Sequence, residues 1–97
     1  TKTDAGVILL TASQAAELAR FGILVNSISP GSIRNGTMGS RSVNASDEEG
    51  WKTNGCPLRR RGEYGEVSAA LLMLVSDENT YINGQNIVVD GGWTIQM

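Results

Sequence analysis

The sequence FGILVNSISPG at residues 21–31 decides the fold. Residues 23–28 carry a nearly continuous apolar run, a pattern typical of a strand that is buried on both faces of a parallel sheet. The Ser-Pro-Gly triplet at residues 29–31 ends this strand, because proline and glycine favour turns. Gly22 suits the left-handed residue that ends a helix. The stretch therefore predicts a helix end, a tight turn and a buried strand, which together form half of an α/β unit.

Two predicted helices lie on either side of this strand in the chain. Residues 5–20 repeat apolar side chains at helical spacing, and the stripe consists mostly of small residues: Ala5, Ile8, Leu9, Ala12, Ala15, Ala16 and Ala19. Because small side chains allow a neighbouring element to approach closely, we expect this face to be packed tightly. Residues 66–75 are apolar nearly all round, which predicts a helix that is buried on two sides.

A second strand is predicted near the end of the chain. Residues 87–89 read Ile-Val-Val, and Asp90, Gly91 and Gly92 follow them. The two glycines favour a turn, with a loop beside a substrate as the alternative. Two strands that are apolar on both faces cannot satisfy each other as a free-standing parallel sheet. We therefore expect fold class α/β, with two strands and two main helices forming the end of a larger doubly wound parallel sheet.

Residues 32–62 have a different composition, rich in Gly, Asn, Ser and Arg and weak in periodicity. Ser46 and Glu49 have the spacing of a capping box, which predicts a short helix that begins near Asp47 and includes Trp51. A connection of this length in a compact domain is usually functional or mobile. We interpret residues 32–62 as a lid over a ligand, with a plain surface excursion as the alternative.

Composition and charge exclude several classes of function. The chain has 97 residues, a net charge of -2 and no histidine, so it contains neither a histidine-based catalytic triad nor a histidine metal site. The acidic balance argues against nucleic-acid binding, and we interpret the run at residues 59–61 as a solvated or ion-paired turn, with an anion contact as the alternative. No apolar run approaches the ~20 residues that cross a membrane. The single cysteine, Cys56, favours a reducing compartment, so we expect a cytoplasmic protein.

Three segments, in the expected order, resemble the short-chain dehydrogenase/reductase family. Residues 21–31 are similar to the family's G-I-R-V-N-x-(I/V)-x-P-G, and residues 57–67 are similar to P-L-x-R-x-G-E-P-E-E-V. Residues 76–92 are similar to S-D-x-(A/S)-x-Y-(I/V)-(T/N)-G-Q followed by V-D-G-G. The resemblance covers nearly the whole chain. It implies that residues 1–97 are the carboxy-terminal portion of a single Rossmann-type NAD(P)-binding domain, with the lid at about residues 32–62.

The same resemblance implies an activity. Members of the family transfer a hydride between NAD or NADP and a small-molecule alcohol or carbonyl, and most form homo-oligomers, either dimers or tetramers. We expect an oxidoreductase of this kind, of which the 97-residue chain alone is inactive. The alternative is a truncated, non-catalytic module for interaction or oligomerisation. A tyrosine and a glycine-rich loop encoded upstream of Thr1 would favour the enzyme, whereas a start codon there would favour the module.

The catalytic residues of the family fall outside this chain or are replaced in it. The family's Tyr-x-x-x-Lys pair begins the first helix, and alignment of Ala5 and Gly6 with the residues after the lysine places Asp4 at the lysine position and the tyrosine before Thr1. An aspartate raises the pKa of a neighbouring phenol, which opposes the role of the lysine. Lys2 lies about 200° away around the helix, so we do not expect it to substitute. The resemblance thus implies no catalytic residue within the chain.

The turn after the first strand matches the family better. In the family the Pro30-Gly31 turn packs against the nicotinamide, and the main chain of the residue that matches Ile33 hydrogen-bonds the carboxamide. A main-chain N–H and C=O can bind the acceptor and the donor of a carboxamide together. The family often adds a threonine two residues later, where this chain has Asn35, with Thr37 two further on. The resemblance implies cofactor contacts from all five residues; for Asn35 a plain turn is the alternative.

Overall fold

The computed structural model describes residues 2–34 and 55–95. In chain order its elements are α1 (Lys2–Leu18), a 3-10 helix (Ala19–Phe21), β1 (Ser27–Pro30), α2 (Tyr64–Val75), β2 (Asn86–Val89) and a second 3-10 helix (Trp93–Ile95). The two strands lie side by side in a parallel sheet, which confirms the predicted α/β class. No helix in the described part of the chain is long and apolar enough to cross a membrane.

The contacts divide the chain into two compact units. One unit comprises Thr1–Ser29 and Ala69–Val88, and the other comprises Pro30–Ser68 and Val89–Met97. The first unit contains α1 and the segment that packs against it. The second contains the turn after β1 and the turn after β2, where the sequence places the candidate site.

The first helix begins and ends close to the predicted positions. It starts at Lys2, three residues before the apolar stripe, and its last turn narrows to the 3-10 helix Ala19–Phe21. Gly22 follows with φ +76°, and its N–H donates to the carbonyl of Ala19 at 2.9 Å. A residue with a Cβ is strained in that left-handed conformation, so the prediction that Gly22 ends the helix is confirmed.

The buried face of α1 differs from the predicted alanine stripe. Ala15 and Thr11 are buried, but Ala12, Ala16 and Ala19 are exposed. The hydroxyl of Thr11 donates to the carbonyl of Val7 at 2.7 Å, so burial of this polar group is compensated. The prediction of one tightly packed stripe was wrong, because within the described residues only the side of α1 that carries Thr11 and Ala15 is covered.

The first strand begins four residues later than predicted and ends two residues later, at Pro30, and the apolar residues before it are partly exposed. Ile23 is 46% exposed and Leu24 is 37% exposed. The main chain of Val25 bonds to a loop, donating to the Asn83 side chain at 2.9 Å and accepting from the N–H of Gly84 at 2.8 Å. The ladder with β2 starts only at Ser27. The expected strand at residues 23–28 therefore became β1, because side-chain and loop partners take the backbone bonds of its first half.

The second helix and second strand each begin slightly before their predicted starts, at Tyr64 and Asn86. In the described residues Leu72 and Val75 are each 65% exposed, so the burial on two sides that is expected in a larger sheet is not supplied by this part of the chain. The described residues cover only the opposite face of α2, around Leu74. The sequence of α2 is apolar on all sides, but the described residues cover only one of its faces.

Candidate functional site

The turn after β1 is held tightly against the end of β2. The N–H of Gly31 donates to the carbonyl of Val89 at 2.8 Å. A Cβ at position 31 would lie 2.7 Å from Cβ of Asp90 and 2.9 Å from its Cα, which is closer than real Cβ atoms approach. Only glycine leaves room for this contact, so the turn is fixed in place by packing as well as by a hydrogen bond.

The turn after β2 is stabilised by the carboxylate of Asp90. Gly91 and Gly92 have φ values of +65° and +94°, which confirms the predicted turn. The Asp90 carboxylate accepts from the N–H of Gly92 at 2.9 Å and from the N–H of Thr94 at 3.0 Å, and so caps the last 3-10 helix. Burial by itself raises the pKa of Asp90, but these bonds, with others from Thr94 and Trp93, outweigh it and hold the pKa below its usual value.

Cys56, from a different segment of the chain, packs against the same turn. Its side chain is only 4% exposed, and its Sγ lies 3.2 Å from the carbonyl oxygen of Asp90 and 3.1 Å from that of Gly91. A Cβ at Gly91 would overlap the sulfur. A buried thiol that donates to main-chain carbonyls fixes the turn and is not placed to act as a nucleophile.

Ile33 forms an isolated parallel bridge with Gly62. The N–H of Gly62 donates to the carbonyl of Ser32 at 3.0 Å, and the N–H of Arg34 donates to the carbonyl of Gly62 at 2.7 Å. The two bonds therefore lie on the residues before and after Ile33. Sequence reasoning missed this pairing, because residue 62 lay inside the segment that was interpreted as a lid.

The N–H and C=O of Ile33 itself take no part in the bridge to Gly62. In a parallel pair, the residue between two such bonds points its own N–H and C=O away from the bridging strand. Among residues 2–34 and 55–95, neither group of Ile33 makes a hydrogen bond. One donor and one acceptor that point in the same direction can bind a primary amide, which offers one acceptor and one donor in return.

An ion pair closes the loop that carries Gly62. Arg60 binds both carboxylate oxygens of Glu66, at 2.8 and 2.9 Å, and Glu66 also accepts from the N–H of Glu63 at 3.0 Å. The bond from Arg60 and then the bond from Glu63 lower the pKa of Glu66 to about 2. The interpretation of residues 59–61 as an ion-paired turn is confirmed for Arg60.

A small cavity of about 50 Å³ adjoins this loop. It is lined by Ser32, Ile33, Leu58, Arg60, Gly62, Glu66, Val89, Asp90 and Gly91. A cavity of this size has room for water but not for a nicotinamide ring. It is therefore a feature of the packing between Ile33 and Gly62 and does not form a ligand pocket by itself.

The structure brings together three of the predicted site residues. Pro30 is the last residue of β1, Gly31 follows it directly, and Ile33 lies two residues further on, in the bridge to Gly62. Asn35 and Thr37 lie outside the described residues, as do the predicted short helix near residue 47 and most of the predicted lid. Asp4 lies in the first turn of α1. Within the described residues, no cluster of side chains could hold a metal ion.

Comparison with known proteins finds sequence similarity over almost the whole chain. Residues 2–94 match the family model described as Enoyl-(Acyl carrier protein) reductase. The chain is 33% identical to 2-keto-3-deoxy-L-fuconate dehydrogenase of Xanthomonas campestris, over 95% of this chain and 32% of that protein. It is 40% identical to the 3-oxoacyl-(acyl-carrier-protein) reductase of Staphylococcus epidermidis, over 93% of this chain and 36% of that protein. The chain thus spans about a third of the length of the curated relatives that it matches.

Solved structures show the same backbone arrangement. A 4-hydroxyisoleucine dehydrogenase complexed with NADH superposes with a TM-score of 0.82 at 34% identity, over 96% of this chain and 38% of that one. A short-chain type dehydrogenase/reductase from Mycobacterium ulcerans superposes with a TM-score of 0.82 at 33% identity, over 97% of this chain and 34% of that one. The fold of the present chain is therefore similar to about a third of a larger Rossmann-type domain.

Proposed function

The chain belongs to the short-chain dehydrogenase/reductase family, and on that basis we propose that it is the carboxy-terminal part of an NAD(P)-dependent oxidoreductase that interconverts an alcohol and a carbonyl by hydride transfer. The observation that carries the proposal is the main chain of Ile33. Its N–H and C=O make no hydrogen bond within the described residues. They follow directly on a turn that Gly31 fixes against β2.

These groups fit the nicotinamide end of the cofactor. The Ile33 N–H would donate to the carboxamide oxygen, and the Ile33 C=O would accept from the carboxamide nitrogen. The bound nicotinamide supplies the carbon that accepts or donates the hydride. The main chain of Ile33 would hold the carboxamide and so orient the ring, and Pro30 and Gly31 would lie beside it. Asn35 and Thr37, which the structure does not describe, are proposed to add side-chain hydrogen bonds.

The proton transfer that accompanies hydride transfer is the step that this sequence supports least. The family uses a lysine to lower the pKa of its tyrosine, and this chain has Asp4 at that position. A carboxylate stabilises the protonated phenol and disfavours tyrosinate. Lys2 lies on the same helix, but two residues along an α-helix correspond to about 200° of rotation. We therefore propose that the protein has low turnover and that Asp4 is the cause.

The substrate is proposed to be a small molecule that carries a hydroxyl or a carbonyl group. The relatives support a hydroxyl or carbonyl as the reacting group, since one is named 2-keto-3-deoxy-L-fuconate dehydrogenase and another 3-oxoacyl-(acyl-carrier-protein) reductase. We further propose a cytoplasmic homo-oligomer, a dimer or a tetramer, that binds neither nucleic acid nor membranes. The 97 residues alone are proposed to be inactive, because they span about a third of these relatives.

The proposal is tested by titrating NADH and NADPH against the full-length protein that contains residues 1–97, with the isolated 97-residue chain as the comparison. Quenching of tryptophan fluorescence and enhancement of cofactor fluorescence measure binding. The full-length protein should bind one of the two cofactors and oxidise or reduce an alcohol–carbonyl pair. The isolated chain should not reach a Kd below about 10 µM, or roughly -7 kcal/mol. Absence of cofactor binding by the full-length protein would refute the proposed function.

A further inference from the structure

The main chain after β1 changes hydrogen-bonding partner within a few residues. Gly31 donates to Val89 at the end of β2, at 2.8 Å, whereas Ser32 and Arg34 bond to Gly62, at 3.0 and 2.7 Å. The side chain of Ile33 also meets Gly62, since a Cβ at position 62 would lie 2.9 Å from Ile33 Cδ1. One residue of a distant loop thus contacts both the backbone that flanks Ile33 and the Ile33 side chain.

We propose that Gly62 is a positioning residue for the cofactor, which acts through Ile33. Its two main-chain hydrogen bonds to Ser32 and Arg34, called here the Gly62 clamp, hold the Ile33 N–H and C=O in the direction of the carboxamide. This inference rests on the proposed function and adds to it the group that keeps the carboxamide-binding atoms in place. Because two bonds flank Ile33, the peptide units on both of its sides are fixed together.

A side chain at position 62 would meet the end of the Ile33 side chain. A Cβ 2.9 Å from Ile33 Cδ1 is closer than real Cβ atoms approach, so either Ile33 or the clamp must move. A second neighbour, Oε1 of Glu66, lies 3.9 Å from the same Cβ position, which is ordinary contact. The conflict is therefore with Ile33 alone, and removal of the Cδ1 methyl from that side chain would relieve it.

The loop that carries the clamp is itself fixed at several points. Arg60 and Glu66 are joined across Gly62 by hydrogen bonds of 2.8 and 2.9 Å. Nε of Arg34 lies 3.6 Å from Oε1 of Glu63, which links the two sides of the clamp through their side chains. The Gly62 main chain is thus held from the residues before and after it, as a positioning group requires.

The test compares the binding of two dinucleotides by the full-length protein. One is the nicotinamide cofactor that it binds, and the other is its 3-acetylpyridine analogue, which keeps the carbonyl oxygen but lacks the amide nitrogen. The Ile33 C=O accepts a hydrogen bond only from the natural cofactor. This one hydrogen bond should make the Kd of the natural cofactor roughly fivefold lower than that of the analogue. Gly62→Ala should reduce that preference severalfold. Gly65→Ala is the matched control, because a Cβ at position 65 meets nothing within 4 Å.

The double variant Gly62→Ala/Ile33→Val provides the rescue, since valine lacks the Cδ1 methyl that the new Cβ would meet. It should regain the preference for the natural cofactor. A folded Gly62→Ala protein with an unchanged preference would overturn the inference while leaving the proposed function intact. Failure of the wild-type full-length protein to bind either dinucleotide would overturn both.

Hydrogen exchange of the wild-type protein tests the same inference without a variant. The amides of Arg34 and Gly62 are bonded in the clamp and should exchange slowly with or without cofactor. The amide of Ile33 should exchange quickly in the free protein and slow severalfold when the cofactor binds. An Ile33 amide that is equally protected in both states would show that it does not bind the carboxamide.

Discussion

Gly31 and Asp90 approach each other so closely that no side chain fits between them. A Cβ at position 31 would lie 2.7 Å from Cβ of Asp90, while the Gly31 N–H donates to the preceding residue, Val89, at 2.8 Å. The contact joins the turn after β1 to the turn after β2. The position of the candidate cofactor-binding turn therefore depends on Asp90, which is not among the residues proposed to contact the cofactor.

Gly31→Ala is expected to destabilise the protein that carries this chain. The added methyl must displace the main chain of Asp90, and overpacking of this kind costs about 1–3 kcal/mol. The control is Gly65→Ala in the first turn of α2, where a Cβ meets nothing within 4 Å and alanine stabilises a helix by up to ~1 kcal/mol. Urea unfolding of both variants measures the difference. Equal stability of the two variants would contradict the packing argument.

Arg59 has a φ of +60°, the left-handed conformation in which a side chain is strained. The conformation closes the turn in which the Arg59 N–H donates to the carbonyl of Cys56 at 2.7 Å. Arg59→Gly should exceed Arg59→Ala in stability by about 1 kcal/mol, because both variants remove the side chain and only glycine removes the strain. Thermal unfolding of the pair provides the measurement. A more stable alanine variant would show that position 59 is not strained.

Glu66 gives a stability contribution that depends on pH. Its pKa falls from 4.5 to about 2 in the folded chain, through the hydrogen bond from Arg60 and then that from the N–H of Glu63. The carboxylate therefore stabilises the fold fully above the unfolded pKa, and this contribution is lost as the pH falls from about 4.5 through about 2. Because the pair is exposed to solvent, its total effect is small.

Glu66→Gln should lower the free energy of unfolding at neutral pH, and its difference from wild type should shrink as the pH falls below about 4.5. Denaturant unfolding at a series of pH values measures the difference. Arg60→Gln should lose much of the same pH-dependent part, and the double variant should lose little more. A difference that is constant from neutral pH to about pH 2 would contradict the lowered pKa.

Asp4→Lys is expected to raise turnover in the full-length protein. The substitution restores a cation at the family's lysine position, and general acid–base groups typically contribute 10²–10⁴-fold, so we expect a rise of roughly 10²-fold or more. Absorbance of the reduced nicotinamide follows the reaction. Lys2→Ala should leave turnover unchanged, because Lys2 lies on another side of α1. Unchanged turnover in Asp4→Lys would mean that the alignment at Asp4 is wrong or that the protein is not a dehydrogenase of this type.

The isolated 97-residue chain is expected to associate or aggregate. Large apolar side chains are exposed on it, including Leu9 at 72% and both Leu72 and Val75 at 65%. Each such side chain forfeits about 1.5–3 kcal/mol of burial, and a domain has a total stability of only about 5–15 kcal/mol. Sedimentation velocity and thermal unfolding test the prediction. A monodisperse monomer that unfolds cooperatively above about 50 °C would identify a self-sufficient domain instead.

The parts of the fold that depend on neighbouring residues were predictable from the sequence. Gly22 ends a helix in the left-handed conformation, and Gly91 forms part of a left-handed turn, because only glycine adopts that conformation freely. The helical spacing of residues 66–75 and the apolar run at residues 87–89 placed α2 and β2 within two residues of their observed starts. Residues 21–31, 57–67 and 76–92 together carried the family resemblance that the comparisons confirm.

The partners of those elements were not predictable in the same way. The start of β1 moved because the side chain of Asn83, 58 residues away, takes the N–H of Val25. The apolar sides of α2 were expected to be buried, but within the described residues they are exposed. Amino-acid composition shows which surfaces of a helix are apolar, but it does not show whether a neighbouring element covers them. The periodicity of a sequence describes one helix or strand at a time. It therefore does not indicate which distant group accepts a hydrogen bond from a given backbone N–H.

By itself, the sequence determined the α/β class, the end of the first strand to within two residues and the family, because these follow from local backbone preferences and from motifs read in order. Only the tertiary structure decided how Ile33 is presented. Its flanking residues bond to Gly62, which leaves its own N–H and C=O directed away from that loop. The physical reason is that a backbone hydrogen bond is chosen by which groups packing brings within about 3 Å, and that choice is made between segments far apart in the chain.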